Sequence, residues 1–433
     1  MQYNPATETT SHADLLELLR CEASEANRAT LRLTDDAVAE TLTTAAALVR
    51  EREASILAAN QADVEDAQDQ LDDGLLDRLR LDPSRIQGLA EQVNGTAKIP
   101  PLEREIASWT LPNGLEVRER RIPIGTVGAN FEARPNVALD VAGQLLKSLN
   151  TAVLRTGGAA LRTVTVLVDE VLRPALEATG LPAGAVGLVR TADREGAHAL
   201  VSLPKQIPLV ILRGSGQATA SLARLAAENG VRTLAHAEGG GVLYVHETAD
   251  PAKALAVAEA SLDRLGVCNR LNLCLVDRAA RSVLPALVSL FRRLELEVRG
   301  TPRALEMLDN GLLPLDTPIG YEWASDESRV ATVSVDVVDS LDDALAVANE
   351  HTSGLAAAII AEDGATAAQF LESYRGTAAF WNASTRFTDG YALTGAPETG
   401  INVDRTPGPR GPVTYRDLWL RQYQVIGDGS QHR

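Results

Sequence analysis

The sequence predicts an α/β protein of two doubly wound domains with a small β arm, and three observations support this fold class. The chain has 433 residues, which is more than a domain with a single hydrophobic core usually contains. Short apolar runs alternate with helix-patterned segments through most of its length, as in parallel sheets covered by helices. Two further segments, outside this series of strands and helices, show the alternation of apolar and polar residues that is typical of paired strands.

The predicted elements begin with long amphipathic helices over residues 12–70, which are rich in Ala, Leu and Glu at helical spacing. A Pro-Asn-Gly turn signal at 112–114 lies between two alternating runs, so residues 109–124 are predicted to form a hairpin of the arm. Strand and helix then alternate. We assign residues 1–240 to a dinucleotide-binding domain.

A second block of alternating strands and helices follows the glycine run at 239–241, and no Pro/Ser-rich linker separates the blocks. We assign residues 241–400 to a catalytic domain. Residues 401–433 are predicted to return and to add a strand to the arm, because residues 418–426 have strand-like alternation.

Charge and composition restrict the partners of the protein. The net charge of −17 argues against a nucleic acid or an anionic membrane surface as a partner. No leader-like segment or apolar stretch long enough to cross a bilayer is recognisable, and three cysteines do not make a disulfide framework. We therefore expect a cytoplasmic protein. The histidines lack ligand spacing, so we expect no metal site.

Cys268, in the segment GVCNRLNLCLV, is the candidate nucleophile. A thiolate attacks acyl carbons far better than a hydroxyl does at neutral pH. The alternative is that it packs as a small apolar residue, as lone cysteines often do. Cys274 fits that alternative better, because it lies in the apolar run LNLCLV, which is typical of a buried strand.

The usual phosphate-binding fingerprints, G-x-G-x-x-G and G-x-x-x-x-G-K-[ST], do not occur. Arg213, Gly214 and Ser215 follow the apolar run at 209–212 and precede a predicted helix, whose N-terminus could face a pyrophosphate. Taken alone, glycines after a strand more often only turn the chain.

Several motifs in the same order nearly throughout the chain resemble the gamma-glutamyl phosphate reductase branch of the aldehyde dehydrogenase superfamily. They include ILAANQADVEDA, PIGTVGANFEARPNVALDVA, GVCNRLNLCLV, VDSLDDALAVANEHTSG, FWNASTRFTDGYALTGAPETGI and RGPVTYRDLWLRQYQVIGDG. The resemblance implies an aldehyde-dehydrogenase-like fold and reduction of an acyl phosphate, most simply L-glutamyl 5-phosphate, by NADPH. It also implies that the β arm joins subunits in a homodimer or a dimer of dimers.

The resemblance also implies roles for individual residues. Cys268 would form a thioester, Arg134 or Asn136 would donate to the carbonyl oxygen, and Glu238 would be a general base. The implied substrate contacts are Glu132, Asn269, Asn382, Ser384, Thr385 and Arg386. Arginine has a planar fork that suits a carboxylate. The implied cofactor contacts are Arg155, Gly157, Arg213, Gly214, Ser215 and Glu322, with Glu327 as the alternative to Glu322.

The sequence departs from the family's pattern in places. Thr156-Gly-Gly-Ala-Ala stands where the family has a lysine and a glutamate for the adenosine ribose, so NADP is predicted with NAD as a possibility. Arg270 and Asn272 replace an alanine and a glutamate, and Leu355 and Ala357 replace a polar pair. These changes suggest a diverged acyl substrate.

Two alternatives of other classes stay open. One is an aldehyde dehydrogenase that works oxidatively or on an acyl-CoA with the same Cys268 chemistry. The other is a non-catalytic homologue, which the altered cofactor loop suggests. The intact Cys268, NASTRF and FEARPN segments argue against a non-catalytic protein.

Overall fold

The computed structural model describes residues 12–71, 73–214, 216–236, 238–308, 311–326, 328–404 and 408–431, and Ser215 and Glu327 lie outside these ranges. In the described residues the helices are α1 (His12–Thr30), α2 (Asp35–Glu51), α3 (Glu53–Ala67), α4 (Asp73–Leu79), α5 (Pro83–Lys98), α6 (Asn136–Lys147), α7 (Leu161–Val166), α8 (Arg173–Ala178), α9 (Arg194–Leu200), α10 (Gly216–Glu228), α11 (Pro251–Ala260), α12 (Leu284–Arg293), α13 (Pro302–Met307), α14 (Leu341–Glu350), α15 (Gly364–Ser373) and α16 (Gly390–Thr394). None of the described helices is long and apolar enough to span a membrane.

The strands in the same ranges are β1 (Glu105–Thr110), β2 (Glu116–Pro123), β3 (Thr126–Phe131), β4 (Thr151–Thr156), β5 (Val186–Leu188), β6 (Leu209–Arg213), β7 (Arg232–His236), β8 (Gly241–Val245), β9 (Leu271–Asp277), β10 (Glu297–Gly300), β11 (Leu313–Pro314), β12 (Thr332–Val338), β13 (Ala356–Ile360), β14 (Ala378–Trp381), β15 (Gly400–Asn402), β16 (Gly411–Val413) and β17 (Trp419–Ile426). The mixed α/β fold class predicted from the sequence is confirmed.

The chain divides into two compact units. Unit 1 comprises residues 1–235, 396–400 and 413–433, and unit 2 comprises residues 236–395 and 401–412. The sequence placed the boundary five residues later, at 240/241, and did not anticipate that residues 401–412 belong with unit 2.

Unit 1 contains a five-stranded sheet in the order β5-β4-β3-β6-β7. Strands β4 and β6 both pair in parallel with β3, and β5 pairs in parallel with β4. Strands β4 and β5 therefore lie on one side of β3, and the later strands β6 and β7 lie on its other side. In open parallel sheets the carboxyl edge between two such central strands is where ligands bind.

The β arm consists of β1, β2 and β17, all in unit 1. Strand β2 is central and pairs antiparallel with both neighbours. The turn at Gly114 has φ +87°, a conformation that favours glycine. The hairpin lies where the sequence predicted it, although β1 begins four residues earlier.

Unit 2 is built on a seven-stranded sheet in the order β11-β10-β12-β9-β8-β13-β14, and its recorded pairings are parallel. Successive residues of β9 face opposite sides: Cys274 joins one apolar core, and Leu273 and Leu275 join the other. Both faces are covered, which explains why this strand is a continuous apolar run. Cys274 is fully buried there, as expected.

Two helix N-termini in unit 2, those of α11 and α14, are capped by local side chains. The Asp250 carboxylate accepts a hydrogen bond of 2.8 Å from the Lys253 N–H at the start of α11. The Ser340 hydroxyl accepts one of 3.1 Å from the Asp343 N–H at the start of α14. These caps satisfy N–H groups that lack partners inside the helix.

Candidate active site

Cys268 lies in the turn that leads directly into β9, and glycines before β8 hold this turn. The Gly240 N–H donates to the Cys268 carbonyl at 2.6 Å, and the Gly241 N–H donates to the Arg270 carbonyl at 2.7 Å. Since β8 and β9 are parallel, this places Cys268 at the amino edge of the sheet. Its thiol-bearing side chain is half-buried. The turn therefore fixes the backbone of the nucleophile on a rigid strand end.

Gly239 separates Cys268 from a carboxylate. A Cβ added at Gly239 would lie closer than 3.0 Å to Glu322 Oε1 and to Cα and Cβ of Cys268. The Gly239 N–H also donates a hydrogen bond to the Glu322 carboxylate. Only a residue without a side chain can occupy this point, and the Glu322 carboxylate is consequently a close neighbour of Cys268.

Asn272 holds the backbone on both sides of Glu322. Its Nδ2 donates to the Tyr321 carbonyl, and its Oδ1 accepts from the Trp323 N–H at 3.0 Å. Trp323 is fully buried, and its indole N–H donates to Ser334 Oγ at 2.9 Å. Two backbone bonds from one side chain leave the intervening Glu322 little freedom to move.

Arg270 is fully buried below the same turn. Its guanidinium donates to the carbonyls of Leu271, Val330 and Thr332. Burial lowers the pKa of Arg270 to about 10, and the nearby Glu322 charge partly opposes this effect. A buried cation is tolerated here because main-chain oxygens surround it.

The segment at 384–386 is bonded to the Cys268 turn. The fully buried Thr385 hydroxyl donates to the Asn269 carbonyl at 2.9 Å, and Ser384 Oγ accepts from Ser261 Oγ at 2.9 Å. The Arg386 guanidinium donates to Asn269 Oδ1 and, at 2.6 Å, to Asp263 Oδ1. The structure thus brings Asn269, Ser384, Thr385 and Arg386 together around the nucleophile, with bonds that stabilise the loop.

Asn382 and Glu238 have different surroundings. Asn382 follows β14 with φ +52°, and its amide bonds both the N–H and the carbonyl of Ala361, which follows β13. It therefore lies at the carboxyl edge of the sheet, away from the Cys268 turn. Glu238 is exposed, and its charge contributes to the raised pKa of Glu322. Their predicted roles in substrate binding and base catalysis stay predictions.

In unit 1 the carboxyl ends of β3 and β6 bring two predicted residues together. A Cβ at Gly214, after β6, would meet the Glu132 carboxylate, which follows β3, at 2.7 Å. Helix α10 begins two residues beyond Gly214 and offers its N–H groups at the same edge. The exposed Arg134 lies in the bend between β3 and α6.

Asn136 opens α6 and donates at 3.2 Å to Asp140 Oδ2, one turn further along the helix. The other oxygen, Oδ1 of Asp140, is buried without a hydrogen-bond partner. Burial raises the pKa of Asp140 to about 6, although the positive charge of Arg213 and the Asn136 bond act in the opposite direction. The sequence did not single out Asp140.

Arg155 is the last residue but one of β4 and is buried. Its guanidinium donates to Asn130 Oδ1 at 3.2 Å and to the carbonyls of Ala192 and Asp193 at 3.2 and 2.9 Å. These bonds tie β4 to the loop before α9. Gly157 follows, where an added Cβ would meet nothing closer than 3.9 Å.

Glu322 and Asn272 were named from the sequence, but their proximity to Cys268 was not predicted. Gly239, Asn272 and Glu322 meet there although 33 to 83 residues separate them. The available signal was the replacement of the family's alanine and glutamate by Arg270 and Asn272. Both side chains now act on the segment that carries Glu322.

Comparison with known proteins identifies the family. Residues 13–299 match the aldehyde dehydrogenase family. The gamma-glutamyl phosphate reductase of Novosphingobium aromaticivorans is 36% identical over 99% of each chain, and that of Persephonella marina is 34% identical over 96% of this chain and 94% of its own. The crystal structure of the Thermotoga maritima gamma-glutamyl phosphate reductase, 29% identical, superposes with a TM-score of 0.88 and covers 97% of this chain and 100% of its own. The chain therefore belongs to the gamma-glutamyl phosphate reductase branch of the aldehyde dehydrogenase family.

Proposed function

We propose that the protein reduces L-glutamyl 5-phosphate to glutamate 5-semialdehyde and phosphate through a thioester on Cys268. One observation carries the proposal: a half-buried cysteine is fixed in a glycine-backed turn, in a chain that matches gamma-glutamyl phosphate reductases over nearly its whole length. A thiol at this position needs only a bound acyl phosphate to begin the chemistry.

In the proposed reaction, Cys268 Sγ attacks the acyl carbon, the bond from that carbon to the phosphate oxygen breaks, and phosphate leaves. A nicotinamide cofactor, when bound, supplies the hydride that reduces the thioester. Collapse of the resulting hemithioacetal releases the aldehyde and regenerates the thiol. The hydrogen bond from Gly240 keeps the Cys268 backbone in place throughout. Arg134 and Asn136 stay the predicted donors to the carbonyl oxygen.

The carboxyl edge of the five-stranded sheet suits a dinucleotide. Gly214 and the N-terminus of α10 could receive the pyrophosphate, and Glu132 or Gly157 the ribose. A 2′-phosphate is usually accommodated by a nearby arginine, and the arginines close to this loop already have partners with which the phosphate would compete. Arg155 is engaged with Asn130 and two carbonyls, and Arg162 pairs with Asp63 and Asp66. These contacts favour NADH over NADPH.

The nucleophile is tested by Cys268→Ala. We expect the variant to lose turnover by about 10³-fold or more, because it lacks the thiol on which the proposed thioester forms. Cys21→Ala is the matched control, since Cys21 is exposed on α1, and should keep full activity. The assay follows nucleotide oxidation with enzymatically generated glutamyl phosphate. Retained turnover in Cys268→Ala would refute the mechanism.

The cofactor is tested by fluorescence titration of the whole protein with NADH and with NADPH in parallel. We expect saturable binding of NADH and weaker binding of NADPH. The reverse order would show that a 2′-phosphate site exists elsewhere, and no binding of either would favour the non-catalytic homologue. In the oxidative direction, turnover that needs inorganic phosphate separates an acyl phosphate reductase from a hydrolytic or CoA-dependent aldehyde dehydrogenase.

A further inference from the structure

Asp140 is a carboxylate of unit 1 to which the proposed reaction assigns no role. It lies on α6 one turn after Asn136, whose Nδ2 donates a hydrogen bond of 3.2 Å to its Oδ2. The other oxygen, Oδ1, is buried and has no hydrogen-bond partner among the described residues. Burial of an unsatisfied carboxylate oxygen costs stability, so the presence of Asp140 at this position needs an explanation.

Two other buried or partly buried carboxylates of unit 1 have a structural role that Asp140 lacks. Asp63 and Asp417 each accept hydrogen bonds from the N–H and the hydroxyl of a threonine, at 2.7 to 3.1 Å. These bonds hold the backbone in place. In the described residues the Asp140 carboxylate bonds to no backbone group, and its hydrogen-bond partner is the amide of Asn136. The contact with Asn136 therefore distinguishes Asp140 from the other two.

The charges that face Asp140 come from two other segments of unit 1. Burial raises the pKa of Asp140 to about 6, and the charge of Glu398, in the segment 396–400, adds to this effect. Arg213, the last residue of β6, opposes it, as does the bond from Asn136. Asp140 is therefore ionised at neutral pH, and an ionised carboxylate only accepts hydrogen bonds.

An acceptor of this kind determines the orientation of the Asn136 amide. The amide nitrogen carries two hydrogens, so that one can bond to Asp140 while the other stays available to a ligand. Reversal of the amide would turn its carbonyl oxygen toward the carboxylate, and the two acceptors would repel each other. Asp140 therefore fixes which end of the Asn136 side chain donates. Asn136 belongs to the segment that is predicted to bind the carbonyl oxygen of the substrate.

We propose that Asp140 is a positioning residue, whose carboxylate holds the Asn136 amide so that its second N–H donates to the acyl oxygen of the substrate. Asp140 itself touches neither substrate nor cofactor. This inference rests on the proposed function, because it requires that negative charge develops on an acyl oxygen. It also selects Asn136 rather than Arg134 as the essential donor.

Asp140→Asn tests the proposal, because the new side chain has the same size but can both donate and accept, and so does not select one orientation of Asn136. We expect kcat with glutamyl phosphate to fall by about 10- to 100-fold with little change in KM, because a misplaced donor acts on the transition state. Thermal unfolding at pH 7 should move to a higher temperature, since the variant no longer buries a charge. Lower activity in a more stable protein cannot arise from unfolding.

A double-mutant cycle separates positioning from an independent effect. Asn136→Ala should lose about 10²- to 10³-fold of kcat, as is typical when one donor to the oxyanion is removed. In the variant that combines Asn136→Ala with Asp140→Asn we expect no further loss, because Asp140 then has no amide to orient.

Asp417→Asn is the matched control. Burial also raises the pKa of the Asp417 carboxyl, but its hydrogen bonds come from Thr414. We expect Asp417→Asn to keep the kcat of the parent protein, and to leave the loss caused by Asn136→Ala unchanged when the two are combined.

The pH profile provides a second readout. The ratio of the parent kcat to the Asp140→Asn kcat should rise with pH through about 6 and then become constant, because only the ionised carboxylate selects the donor end of the amide. Titration of the substrate affects both proteins equally and cancels in the ratio. The same ratio for Asp417→Asn should not change with pH.

Three outcomes would overturn the inference and leave the proposed reductase intact, provided that Cys268→Ala is inactive. The first is a parent-like kcat in Asp140→Asn across the pH range. The second is a double variant in which the losses of Asn136→Ala and Asp140→Asn multiply. The third is a parent-like kcat in Asn136→Ala, which would leave Arg134 as the predicted donor. Turnover that persists in Cys268→Ala would remove the basis of both proposals.

Discussion

Gly239 is the residue on which the geometry around Cys268 depends most. In Gly239→Ala the new methyl group would collide with Glu322 and Cys268. We expect the free energy of unfolding to fall by about 1–3 kcal/mol, as for other overpacked sites, and turnover to fall with it. Urea unfolding and steady-state kinetics measure the two effects.

A matched glycine lies in unit 1. Gly88 is exposed in the interior of α5, and an added Cβ there would meet nothing within 4 Å. Gly88→Ala should raise the free energy of unfolding by about 0.5–1 kcal/mol, because alanine loses less conformational entropy in a helix. If Gly239→Ala were tolerated equally well, the packing described here would be wrong.

Asp140 predicts a pH dependence of stability. Its pKa of about 6 in the folded protein exceeds the value of about 4 in an unfolded chain. Between these values the folded state holds a proton that the unfolded state has lost, so stability falls as pH rises through this window. Asp140→Asn should remove this loss and stabilise the protein at pH 7 by on the order of 2 kcal/mol. Thermal unfolding at pH 4 to 7 measures it, and an unchanged pH profile would contradict it.

The residue types in the sequence identified candidate positions around the site. They were less informative about the role of the side chain at each position. Cys274 was predicted to lie in a buried strand and is buried, because a continuous apolar run is a local signal of burial. Arg155 and Thr385 were expected to touch ligands, which stays a prediction, and the structure adds that both bond to backbone carbonyls. Such partners come from loops far away in the chain, and no local pattern carries that information.

At the level of elements, the β arm presents apolar side chains to solvent. Strand β17 is an edge strand whose Val425 is 55% exposed, and Trp109 and Tyr423 pack edge to face at 6.2 Å on the same sheet. Edge strands with exposed apolar residues are ready to pair with another chain. This supports the prediction of a homodimer or a dimer of dimers.

The assembly is tested by Val425→Lys, with Gln422→Lys as the control on the same strand. We expect the lysine at 425 to shift the sedimentation profile to a smaller species, because a buried unpaired charge opposes association. Gln422 is already polar and exposed, so its variant should sediment as the parent does. A monomeric parent protein would instead remove the arm as an assembly surface.

Elements with a strongly periodic pattern of apolar and polar residues were predictable from the sequence. The alternation around the turn at Gly114 gave the hairpin, and the apolar run at 209–212 gave β6. The pairing of β17 with β2 was harder, since about 300 residues lie between them. It was inferred from resemblance and strand-like alternation together, and neither signal alone fixes a partner strand.

The whole molecule depends on its C-terminal segment to complete unit 1. Leu418 is fully buried there, and its carbonyl accepts from Asn150 Nδ2 at 2.8 Å. The Tyr415 N–H donates to Gln144 Oε1 at 2.8 Å. Deletion of residues 413–433 should therefore make unit 1 sensitive to protease while unit 2 survives as a fragment. Limited proteolysis with mass spectrometry measures this. Deletion of residues 430–433 is the control, and equal sensitivity of both units would contradict it.

The family and the fold class of the whole molecule were predictable because motifs of the family occur along nearly the entire chain. The division into units was predictable only approximately. Residues 396–400 and 413–433 return to unit 1, whereas 401–412 stay with unit 2. Which core a segment joins depends on packing between distant residues, and composition does not change at these points.

The interleaved course of the chain also sets an order of events during synthesis on the ribosome. Strand β2 can pair with β17 only after the ribosome has synthesised residues 236–395, which lie between the two strands in the sequence. Unit 2 can therefore begin to fold while the arm still lacks one of its strands. A nascent chain that stalls before β17 is made therefore carries an arm of only two strands, β1 and β2.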